Sequence, residues 1–67
     1  MHADKVGVSW DEGKHNWLVR IEIGSEVIRR HCDQPRDSDE EKLRSAALQT
    51  VIDEGYKIDP SRISVIR

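Results

Sequence analysis

Val6-Gly7-Val8-Ser9-Trp10 and Trp17-Leu18-Val19-Arg20-Ile21-Glu22-Ile23 place an apolar residue at every second position, on either side of a polar stretch from Asp11 to Asn16. Side chains on a strand point alternately to opposite faces, so Val6, Val8 and Trp10 can sit across from Ile21, Val19 and Trp17 on the buried face of one antiparallel hairpin. A helix through either segment would scatter the same residues around its axis. The chain is therefore predicted to begin as a two-stranded ribbon with one face to cover.

Gly24-Ser25 suits a two-residue hairpin turn, since glycine takes the positive φ that such turns demand. A third strand from Glu26 to Cys32 then sets Ile28 against Ile21, Arg30 against Val19 and Cys32 against Trp17, and leaves Leu18, Arg20, Glu22, Val27, Arg29 and His31 on the other side. A slip of one residue would turn Val27, Arg29 and His31 inward, so the register, and which of Arg29 and Arg30 is exposed, stays open at this point. Neither register is wholly apolar, which predicts an edge strand or a bulge.

Pro35, within Asp33 to Asp37, breaks the extended run, and Ser38-Asp39-Glu40-Glu41 reads as a capping box opening a helix, with its acidic residues at the positive end of the helix dipole. Leu43, Ala47, Leu48, Val51 and Ile52 form the apolar stripe, and Gly55 ends the helix. Asp59-Pro60-Ser61 turns the chain into a short terminal strand whose position in the sheet the sequence leaves open. The predicted elements are strands near 5–10, 17–23, 26–32 and 62–66 and a helix near 38–54. Together they make a two-layer α+β domain in the order β-β-β-α-β, an antiparallel sheet with the helix on one face and the other face open.

A chain of 67 residues is expected to be one domain, residues 1–67, with most of its apolar residues committed to the core and few left for a deep pocket. Charge is mixed: residues 1–36 carry six Lys and Arg against six Asp and Glu, and residues 37–67 carry five against seven, which together give the net charge of −2. No global field draws it to nucleic acid or to an acidic membrane. Without an apolar run of the roughly 20 residues that a membrane helix needs, or a signal-peptide pattern at Met1-His2-Ala3-Asp4-Lys5, the expected location is cytoplasmic, with no membrane partner. The single cysteine, Cys32, agrees with a reducing compartment.

Catalysis finds little support. His2, His15 and His31 fall at the terminus, in a loop and on a strand, with no spacing that joins a nucleophile, a base and an orienting carboxylate. Gly7, Gly13, Gly24 and Gly55 are isolated, so there is no phosphate-binding loop. His31, Cys32 and Asp33 alternate between sheet faces and cannot chelate one ion together, and the spacing of a structural zinc site is lacking. No cofactor and no metal are expected. Trp10 and Trp17 are read as the closing layer of the core, Cys32 as a filler beside Trp17, and Arg44 as a side chain that lays its stem over apolar surface and reaches Glu40 or Glu41.

The open face carries the one constellation that suggests binding. Lys5, Arg20, Arg29 and His31 project from it together, and Lys14 and His15 stand at the hairpin tip. In element order alone, residues 14 to 52 resemble the three-stranded-sheet domains of plant AP2 factors and tyrosine-recombinase N-termini, a resemblance that implies a β surface entering a DNA major groove. Those modules are strongly basic, whereas this chain is net acidic and has Glu22 and Glu26 beside the arginines. Cross-strand ion pairs on a solvated face are the simpler expectation for these charges. The leading functional expectation is thus a small non-catalytic interaction module that binds an unknown protein partner or a second copy of itself. Nucleic-acid binding through Lys5, Lys14, Arg20, Arg29 and His31 is the alternative, and an enzyme comes last.

Overall fold

Alternation and turn chemistry act as expected over the first half of the chain. In the computed structural model, which describes residues 2–66, β1 (Lys5–Asp11) pairs with β2 (Asn16–Ile23) so that Val6 faces Ile21, Val8 faces Val19 and Trp10 faces Trp17. Met1 and Arg67, the ends of the expected 1–67 domain, lie outside the described residues. One further pair, Asp11 with Asn16, shortens the loop to residues 12–15, where His15 takes a φ of 53°. Gly24, at φ 57° in the first position of the next turn and followed by a residue with negative φ, has the pattern of a type II′ hairpin turn.

β3 (Glu26–Cys32) pairs with β2 in the unslipped register: Ile28 opposite Ile21, Arg30 opposite Val19 and Cys32 opposite Trp17. Arg29 is therefore on the open face and Arg30 on the helix side, where its guanidinium bonds Glu54 just past the end of α1 (Glu40–Asp53). The pairing runs without a bulge, and β3 is an edge. Glu26, opposite Ile23, shares the helix-side parity, so it does not stand beside the open-face arginines as expected; Glu22 does.

After α1 the chain passes through a short 3-10 turn, Pro60–Arg62, capped by the Asp59 carboxylate accepting from the Ser61 N–H at 3.0 Å. It then enters β4 (Ile63–Ile66), and the sheet order is β3-β2-β1-β4. β4 lies parallel to β1, Val6 beside Ile63 and Val8 beside Val65, so the sheet is antiparallel except at this pair. A helix that leaves one edge and returns the chain to the other reverses its direction twice, which makes the last strand parallel to the first.

The core lies between the sheet and α1. Val6, Val8, Trp17, Val19, Ile21 and Ile63 from the strands meet Leu43, Ala47 and Val51 from the helix, all buried, with Ala3 and Ile58 closing one end. Two expectations for α1 are corrected. Ile52 is 52% exposed, because at 100° per residue it stands about 140° round the helix from the centre of the Leu43–Ala47–Val51 stripe. The capping box is not formed: Asp39 is the N-cap without a side-chain bond, and the buried Ser38 hydroxyl instead donates to the Pro35 carbonyl at 2.7 Å, tightening the loop before the helix. At the other end Gly55, at φ 89°, completes a Schellman motif, with Tyr56 N–H on the Val51 carbonyl at 3.0 Å and Gly55 N–H on that of Ile52 at 2.9 Å.

Candidate functional site

With α1 on one face only, no described element covers the other face of the sheet, and its composition follows from strand parity. One row crosses all four strands as Ser64, Gly7, Arg20 and Arg29; the next runs Ile66, Ser9, Leu18 and His31; on the other side lie Lys5, Glu22 and Val27. The centre of this face is floored by small side chains. Gly7 has open space where a Cβ would stand, and a trough of about 300 Å³ lies over it, lined by Lys5, Gly7, Ser9, Arg20, Glu22, Ser64 and Ile66 among others.

The five residues expected to form a basic site are distributed unequally. Lys5, Arg20, Arg29 and His31 share the open face, and Lys14 is in the hairpin loop beyond its end. Lys5 is 3.7 Å from Glu22, its cross-strand neighbour. His31 Nε2 is 3.2 Å from a carboxylate oxygen of Asp11, reached diagonally across β2. Arg20 and Arg29 are directly opposed on β2 and β3, and among the described residues neither guanidinium forms an ion pair. Like charges placed opposite one another destabilise a sheet, so this pair is the unbalanced feature of the face.

Asp11 organises the hairpin tip. One of its oxygens accepts from Gly13 N–H at 3.0 Å and Lys14 N–H at 3.3 Å, and the other meets His31. The His31 bond, joined by the two amides, holds the Asp11 carboxyl below the ordinary aspartate range. Around the corner, Arg36 lies over the Trp10 ring, 5.5 Å from its centroid, and pairs with Glu12. The Glu12 carboxyl lies below the ordinary glutamate range, first through the neighbouring Trp10 indole and then through Arg36, and the buried indole N–H forms no hydrogen bond among the described residues. Trp17 is only 1% exposed, packs edge-on against Trp10 at 5.4 Å and donates its indole N–H to the Pro35 carbonyl at 2.9 Å. Both rings close the core, as their parity predicted.

Cys32 is half-buried on the helix side opposite Trp17, where burial and the nearby Asp33 push its thiol up, away from the reactive thiolate. His31 and Cys32 lie on opposite faces, and among the described residues no three His, Cys, Asp or Glu side chains converge as a metal site. Arg44 reaches Glu40 at 3.5 Å, as expected, and also donates to the Pro60 carbonyl at 3.2 Å, tying the helix to the turn before β4. Among the described residues no helix is long and apolar enough to cross a membrane.

Gly7, Ser9 and Ser64, which floor the trough, are not among the site residues expected from the sequence. The alternation that turns Val6 and Val8 inward already turns Gly7 and Ser9 outward, but neither carries a charge that would mark it. Ser64 has no such signal, because its neighbour depends on where β4 docks. No family model, curated protein or solved structure matches the chain.

Proposed function

We propose that this chain is a non-catalytic interaction module that pairs with a second copy of itself along β4. The observation that carries the reading is the contrast between the two edges of the sheet. β3 bears Glu26, Arg29, Arg30 and His31, the charged edge that discourages strand addition. β4 reads Ile-Ser-Val-Ile, without charge or proline, and leaves Ile66 63% exposed.

An antiparallel, two-fold pairing of β4 centred on Val65 sets Val65 against Val65 on the helix side and Ser64 against Ile66 on the open face, so every opposed pair shares a face. The result is an eight-stranded sheet with both helices on one side and the two open faces joined. Three residues per copy, Ser64, Val65 and Ile66, make a small contact, and the association is accordingly weak and concentration-dependent.

The non-catalytic part of the reading is supported by the raised thiol of Cys32 and by the engagement of His31 with Asp11 rather than with a nucleophile. Nucleic-acid binding has less behind it, since Lys5 and His31 each face a carboxylate. The three that remain, Lys14, Arg20 and Arg29, would neutralise about three phosphates, a small share of what non-specific binders use.

Sedimentation equilibrium from about 10 μM to 1 mM protein tests the proposal at the concentrations where a small interface operates. A monomer-to-dimer rise is expected, abolished by Ser64→Lys with Ile66→Lys and retained by Val27→Lys on the opposite edge. A monomeric mass throughout, or loss of the dimer with Val27→Lys only, overturns it.

A further inference from the structure

The trough on the open face and the unpaired arginines beside it converge on one chemistry. Arg20 lines the trough directly over β2, and Arg29 stands next to it on β3, so two positive charges that no carboxylate balances among the described residues share one end of the row. The floor beneath is glycine, with open space at the missing Cβ, and the hydroxyls of Ser9 and Ser64 are on the same face, in the lining. Lys5 sits in the lining as well, though Glu22 engages it. Opposed arginines gain most from a ligand carrying two negative charges and several acceptor oxygens, because it removes their mutual repulsion and fills the planar donor forks at once. The volume of about 300 Å³ is that of a small-molecule site rather than of a groove for a folded partner.

We propose that this trough binds the phosphate of a small phosphomonoester, seated over Gly7. Arg20 is its direct ligand, Arg29 the adjoining charge that selects a dianion, and Ser9 and Ser64 are donors to the remaining oxygens. The organic part of the ligand lies toward Ile66, the exposed apolar residue of the lining. Ser64 and Ile66 belong both to the lining and to the β4 edge, but Gly7 and Arg20 lie one and two strands in from that edge, so Arg20→Ala removes phosphate binding without touching self-association and either reading can fail without the other.

Amide NMR titrations with inorganic phosphate and phenyl phosphate, each against sodium chloride at equal ionic strength, test it. A saturable response is expected at Gly7, Ser9, Arg20 and Ser64, with half-saturation at roughly millimolar ligand, as for a small, open site. Phenyl phosphate should bind several-fold more tightly than inorganic phosphate and also shift Ile66. Arg20→Ala should abolish saturation, and Arg29→Ala should weaken it at least several-fold. Gly7→Val fills the trough where nothing opposes a side chain, and should leave a dispersed spectrum while losing the response; Gly7→Ala serves if Gly7→Val does not fold. Acetate at equal ionic strength should give no saturation. An identical response to chloride or acetate, a phosphate response that survives Arg20→Ala, or a folded Gly7 variant that binds unchanged overturns the assignment. So does tighter binding of a short single-stranded oligonucleotide than of phenyl phosphate, which would place the chemistry with a nucleic-acid backbone.

Discussion

Asp11 does more for the open face than any of the basic residues that mark it, because a single carboxylate both folds the hairpin loop and engages His31 on a distant strand. Its lowered pKa sets the direction of a pH effect. A carboxyl whose folded pKa is depressed contributes its full stabilisation above the ordinary aspartate value, and that contribution is lost as pH falls through the lowered one. Protection of the Gly13 and Lys14 amides, taken as the ratio of intrinsic to observed exchange rate at each pH, is therefore expected to hold at neutral pH and to fall once pH drops below the ordinary aspartate value of roughly 4. In Asp11→Ala this protection should be low throughout. Equal protection of these amides in parent and variant would show that the carboxylate does not hold the loop. Asp4 plays a similar part at the other end of the hairpin, its carboxylate accepting from Gly24 N–H at 2.6 Å while its carbonyl accepts from Arg62 at 3.3 Å.

Glycines at the ends of elements and within them work in different ways, and substitution separates them. Gly24 needs φ 57°, a region in which a side chain meets its own backbone, so Gly24→Ala should cost about 1–2 kcal/mol in denaturant melts. Gly7 has an ordinary strand conformation and open space around it, and glycine within a strand loosens the unfolded chain for no gain in packing. Gly7→Ala should accordingly raise stability by about 0.5–1 kcal/mol in the same melts. A glycine that costs stability in the middle of a strand while leaving room on a bare face fits a position kept for the approach of a ligand. On the helix, Ile52→Lys should be tolerated within about 0.5 kcal/mol, whereas the same change at Val51, one residue away but under the sheet, should prevent folding.

For the whole molecule, the core is a single layer of side chains, and few of them can be lost. Stability of roughly 0.05–0.15 kcal/mol per residue amounts to only about 3–10 kcal/mol here. Truncation of a fully buried residue such as Leu43 or Ile21 to alanine should cost about 2–5 kcal/mol and unfold a large part of the population, read as a drop in melting temperature. Leu48, only partly buried against that core, should fall at the low end or below it. If Leu43→Ala and Leu48→Ala melted alike, the division between stripe and rim on α1 would be wrong.

What the chain settles locally is legible in its sequence. The faces of β1 and β2, the turn at Gly24, the helix and its end at Gly55 all follow from the two-residue and 3.6-residue periods and from the φ that each turn requires, properties of neighbours in sequence. The charged open face is legible for the same reason at Lys5 and Arg20, whereas the choice between Arg29 and Arg30 was made by the register of β3 against β2. Tertiary structure alone decided that β4 docks parallel beside β1, that Ser64 thereby stands next to Gly7, that Arg29 rather than Arg30 joins the open face, and that Lys5 and His31 each meet a carboxylate while Arg20 and Arg29 do not among the described residues. Those outcomes depend on contacts between residues far apart in the chain, where periodicity carries no information about which strand becomes whose neighbour or which carboxylate a side chain will reach.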